Sequence, residues 1–169
     1  MNITDNIIIT DTNIITDLDH AGILEYFVQL DNVYVSDLVK YNEFFESTGN
    51  LELLSKIKVI EATEADLVEV HFIKNMELRL SVFDVINYVV AKNNHGILAT
   101  GDARLKKYAE QNGVEVIRII KIIELLSKYG VISKEVELNA YRKLLNHERT
   151  RVPKDELMMR IEKLEYETV

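Results

Sequence analysis

The sequence predicts an α/β fold, a three-layer α/β/α sandwich with a central parallel sheet, followed by C-terminal helices. Three observations carry this expectation. Short apolar, β-branched runs alternate with longer helix-like segments over residues 1–120. The runs are apolar on both sides, as strands covered on both faces are. Beyond residue 119 the strand-like runs stop and only helical patterns remain.

In order, the strand-like runs are 7–10 (IIIT), 33–36 (VYVS), 57–60 (IKVI), 97–100 (ILAT) and 114–119 (VEVIRI). Helix-like segments fall at 14–30, 37–48, 64–75, 82–94 and 103–112. The alternation predicts a parallel sheet of order 3-2-1-4-5. The stretch IIKIIELLSKYGVIS reads as a helix ending at Gly130, with a restart capped by Ser133. SKEVELNAYRKLLNHE is a second terminal helix, and PKDELMMRIEKLEYE a third, with Pro153 at its first turn. Residues 1–120 form the α/β core. Residues 121–169 form a helical extension packed on it, because so short a segment hardly builds its own core.

The chain has 169 residues, 47% of them apolar, enough for a sizeable core. It has no cysteine, which excludes disulfides and thiolate zinc sites and suits a reducing cytoplasm. No run of 18 apolar residues occurs, so no membrane span is expected, and the N-terminus lacks the pattern of a secretory signal. The formal net charge is -8, the opposite of the usual nucleic-acid binder. Any contact with nucleic acid therefore needs a local patch, a metal or a partner. No glycine-rich phosphate-binding motif is present, which counts against a nucleotide-binding domain.

Three acids stand at the ends of elements: Asp11 after the first strand, Asp102 after the fourth, and Asp84 near the start of a helix. In an open α/β sheet the ligand crevice lies outside the carboxyl ends of the strands, where strand order reverses. If strands one and four are neighbours, Asp11 and Asp102 face one crevice, and Asp84 can point into it. Carboxylates so crowded stay ionised only beside a cation, and oxygen-only ligands suit Mg²⁺ or Mn²⁺. Each acid also has a plainer role. Ser81 and Asp84 make a capping box, Asp102 can cap the helix after it, and Asp11 can be a turn residue. Asn13 and Thr100 alone are turn or cap residues. The histidines His20, His71, His95 and His147 lack ligand spacing and are assigned to surface or core packing. Arg104, Lys106 and Lys107 form a short basic helix face.

Together these stretches resemble the PIN domain (PilT N-terminal) ribonuclease family. The resemblance rests on IIITDTNIITDL, on LSVFDVINYVVAKNNHGILATGDARLKKYAEQNGVEV, and on their separation; it covers about 1–120. The tail resembles the helical extension of one PIN subgroup. The family places acids at positions that map to Asp11, Asp84 and Asp102, with Thr100 beside the last of them and a small polar residue at Asn13. A further family acid, in a V-x-x-E pattern, maps to Asn42 when counted from Val39, with Glu43 one residue later. What the resemblance implies is Mg²⁺- or Mn²⁺-dependent cleavage of RNA. Asp11, Asp84, Asp102 and Glu43 would be the catalytic set, and Arg104, Lys106 and Lys107 a backbone-binding patch. It also implies the partners of many members, a small antitoxin protein and a second copy of the chain. With Asn42 replacing a carboxylate, the alternative is a catalytically silent binding or scaffold module.

Overall fold

The computed structural model describes residues 1–47 and 51–167, without the side chains of 43–47 and 51. Five strands form one parallel sheet: β1 Ile8–Thr10, β2 Val33–Ser36, β3 Lys58–Ile60, β4 Ile97–Ala99 and β5 Val116–Ile117. Their order is β3-β2-β1-β4-β5, as the alternation predicts. The chain winds outward from β1 to β2 and β3, then crosses back to place β4 on the other side of β1. Thr10 pairs with Ala99, so β1 and β4 end side by side. That is the switch point of the sheet, where helices leave in opposite directions and open a crevice.

The helices are α1 Thr12–His20, α2 Leu24–Phe27, α3 Asp37–Ser47, α4 Leu51–Ser55, α5 Glu64–Met76, α6 Val82–Asn93, α7 Ala103–Gln111, α8 Ile119–Lys128, α9 Lys134–Asn146 and α10 Lys154–Glu167. They cover the sheet in a three-layer α/β/α sandwich. Helix α6 lies across β1, β2 and β4, and α1 packs against α3, α8 and α9. Ile8, Ile9, Leu98 and Ala99 are completely buried at the centre. Residues of the last three helices, among them Ile122, Leu126, Tyr141 and Leu157, belong to the same apolar cluster. Each such side chain contributes about 1.5–3 kcal/mol by leaving water.

Three local differences from the sequence expectation have clear causes. The expected helix 14–30 is two helices, because Gly22 takes a left-handed φ of 72° that ends α1. Helix α4 is five residues long, too short for its periodicity to be read. The fifth strand is two residues rather than six, since Ile119 and Ile120 join the buried face of α8. At Gly130 the expected stop is present, with a φ of 71°. Ser133 caps α9 by accepting a hydrogen bond from the Val136 N–H at 3.2 Å.

Candidate functional site

Asp11 is the first residue past β1, and its own N–H still donates to the Ala99 carbonyl at 3.1 Å, extending the β1–β4 ladder. Its carboxylate caps α1. One oxygen accepts from the Ile14 N–H at 2.8 Å, and the other accepts from the Thr100 hydroxyl at 2.5 Å. The Thr100 Oγ1 in turn accepts from the Asp102 N–H at 3.1 Å. A hydrogen-bonded chain therefore joins the acid after β1 to the acid after β4. Residues 89 positions apart in sequence become partners only because the two strands are neighbours in register.

Asp102 caps α7, with Oδ1 accepting from the N–H groups of Arg104 and Leu105, both at 2.8 Å. Asp84 completes the capping box of α6. Its Oδ2 accepts from the Ser81 N–H at 2.8 Å, and its own N–H donates to Ser81 Oγ at 3.0 Å. Every acid thus does fulfil the plainer capping role. Capping uses one oxygen each of Asp84 and Asp102; their second oxygens make no hydrogen bond among the described residues.

Asp11 is only 4% exposed. Burial pushes its carboxyl up to about 7, against the hydrogen bonds from Thr100 and Ile14. The negative charges of Asp84 and Asp17 raise it further. The site brings carboxylates together at the ends of β1 and β4. Its donors are all oxygens, which fits a hard divalent ion in kind. Among the described residues no group of three or more carboxylates or histidines is placed so as to hold a metal ion. The Glu43 side chain lies outside the described residues.

The other expected residues divide. Asn13 is half-buried on the first turn of α1 and lines a cavity of about 650 Å³. Asn42 is exposed, and its amide donates back to the Leu38 carbonyl at 2.7 Å on its own helix. Arg104 and Lys107 are exposed on α7. Lys106 pairs with Glu110 at 3.8 Å and lines a second cavity of about 300 Å³ beside Arg118 and Arg151.

Sequence reasoning missed a second cluster. Asp17, 8% exposed, sits one turn beyond Asn13 on α1. Burial raises its carboxyl, and the positive charges of Arg151, His20, His147 and Arg118 oppose that rise. His20 and His147, assigned separately to packing, stack on each other with ring centroids 3.7 Å apart and planes 21° apart. The signal was present in α1: Asn13, Asp17 and His20 recur at helical spacing on one side of the helix. The partners on the loop after α9 carry no such periodicity.

A family model described as PIN domain matches residues 7–165, spanning both the sheet and the terminal helices. No curated protein gives a significant match to the chain. The all-parallel sheet flanked by helices agrees with that match, and the chain belongs to the PIN-domain family.

Proposed function

We propose that this protein is a Mg²⁺- or Mn²⁺-dependent endoribonuclease. PIN domains are generally of nuclease type and generally use divalent metals. The observation that carries the proposal is the link Asp102–Thr100–Asp11 across the switch point, with the Asp84 charge bearing on Asp11. Asp11, Asp84 and Asp102 would hold the ion, with Glu43 as the fourth acid. Bound there, such a cation supplies polarisation of a phosphodiester and activation of a water for in-line attack. The chain's own part is positional. Thr100 fixes the rotamer of Asp11 by donating to it, and the α6 and α7 caps hold Asp84 and Asp102 through one oxygen each, the other oxygen having no hydrogen bond among the described residues. Helix N-termini at both caps present partial positive charge toward an anionic substrate.

On this assignment the protein partners would be an antitoxin that holds a toxin inactive and a second copy of the chain, acting in the cytoplasm. Among the described residues no helix is long and apolar enough to cross a membrane. The competing function is a silent PIN-like module. The observation in its favour is Asn42, which is neutral, exposed and bonded to its own helix rather than to the acids. Cleavage of a mixed RNA pool with Mg²⁺ or Mn²⁺ separates the two. The nuclease cleaves, and Asp84→Asn abolishes cleavage without unfolding, because Asn still caps α6. Wild-type cleavage by Asp84→Asn returns Asp84 to a capping role. No cleavage and no metal binding by the wild type favours the silent module.

A further inference from the structure

Resting on the nuclease function proposed above, we propose that the cleft between α1 and the loop of residues 147–153 is the track along which the phosphates of single-stranded RNA lie beside the acids. The cleft consists of the two cavities already described, which share Asp17 and Arg151. At one end it begins at Asn13, two residues from Asp11, and at Gly101, next to Asp102. Arg118 donates to the Gly101 carbonyl at 3.2 Å, tying the cleft to the loop that carries Asp102. Asp17 reaches the same loop: a Cβ on Gly101 would stand 3.8 Å from its carboxylate. The cleft therefore reaches the chain neighbours of Asp11 and Asp102, while Asp11, Asp84 and Asp102 themselves line neither cavity.

The charge along the cleft is unlike that of the whole chain. Lys106, Arg118, Arg149 and Arg151 outnumber the acids Asp17, Glu148 and Glu156 in a protein of net charge -8. Arg149 and Arg151 are exposed, while His20 and His147 are half-buried and stacked. Several guanidinium groups spread along an open cleft match a linear polyanion better than a compact anion. An occupant that continues into the acid site must be the same molecule that is cleaved, which selects the nucleic-acid strand over an acidic protein. Asp17 has a positioning role. It lines both cavities with Arg151 and offsets part of the Arg118 and Arg151 charge, which in turn opposes the rise of its own carboxyl. The helical extension supplies the outer wall and so contributes directly to substrate binding.

The test is equilibrium binding of a fluorescein-labelled decauridine to the full chain in EDTA, where no turnover occurs, from low to physiological salt. Arg149→Ala and the double variant Arg149→Ala/Arg151→Ala are compared with wild type. Arg142→Ala, on α9 and paired with Glu165, is the control. The expected result is binding weakened at least about threefold by Arg149→Ala and more by the double variant. The salt dependence of log K should become shallower by about 0.7 per lost contact, and the control should be unchanged. Arg149 is exposed, so its single variant still reports if the double variant is destabilised. Wild-type affinity and salt slope in both variants, or no binding by the wild type, overturns the proposal. Cleavage of RNA with binding insensitive to these arginines removes the track and leaves the nuclease. Arginine-dependent binding without cleavage under Mg²⁺ or Mn²⁺ removes the nuclease and leaves the track.

Discussion

Asp11 carries its charge where solvent scarcely reaches, at the junction of two strands and under the charges of Asp84 and Asp17. Its carboxyl lies at about 7 in the fold against an ordinary 3.8. A folded-state value above the unfolded one means that the folded protein binds the proton more tightly. The stability this confers is complete below about pH 4 and is lost as pH rises through 7. Replacing Asp11 by Asn removes the ionisation while keeping a helix-capping oxygen. In EDTA at about pH 8 we expect Asp11→Asn to be more stable than wild type by about 1–3 kcal/mol; the shift itself sets an upper bound of about 4 kcal/mol. Near pH 4 the two should melt together. Urea melts at the two pH values check this, and a variant less stable than wild type at pH 8 contradicts the origin assigned to the raised value. Cation binding should act in the same direction. Mg²⁺ should raise the wild-type melting temperature at pH 8 by a few degrees and leave Asp84→Asn nearly unmoved.

The elements divide into those that announce themselves and those that tertiary packing decides. Strands β1, β2 and β4 were legible because the buried centre of a parallel sheet demands unbroken apolar runs. Helices α5, α6 and α7 were legible from their periods and caps. The break at Gly22 was not, because one glycine within a long periodic stretch does not declare which φ it takes. With φ at 72°, Gly22→Ala should destabilise by about 1–2 kcal/mol, while the Lys143 Nζ near the place of an added Cβ can swing aside. A change below a few tenths in chemical denaturation contradicts that account of the α1–α2 turn. The terminal helices carry a larger consequence. Ile119, Ile120, Ile122, Ile123, Leu125 and Leu126 are all buried in the common core. Truncation after residue 120 should abolish cooperative unfolding, since it removes apolar cover at about 1.5–3 kcal/mol per side chain. A soluble fragment with a sharp thermal transition makes the extension an accessory instead.

At the scale of the whole molecule, the proposed function puts acids at the switch point and arginines along a nearby cleft of a protein whose net charge is -8. The acids could be singled out from sequence because each closes a strand or opens a helix, and strand order then brings Asp11 to Thr100 and Asp102. The cleft could not, because it is made by Asp17 and His20 meeting His147, Arg149 and Arg151 from the far end of the chain, on a loop without periodic pattern. The central claim is that Asp11, Asp84 and Asp102 hold one divalent cation at the switch point. Crystals soaked in Mn²⁺ and measured for anomalous scattering test it most directly. The expected result is a peak coordinated by carboxylate oxygens of all three aspartates. Mn²⁺-soaked crystals without a peak there, at a concentration that saturates any other site, would contradict it.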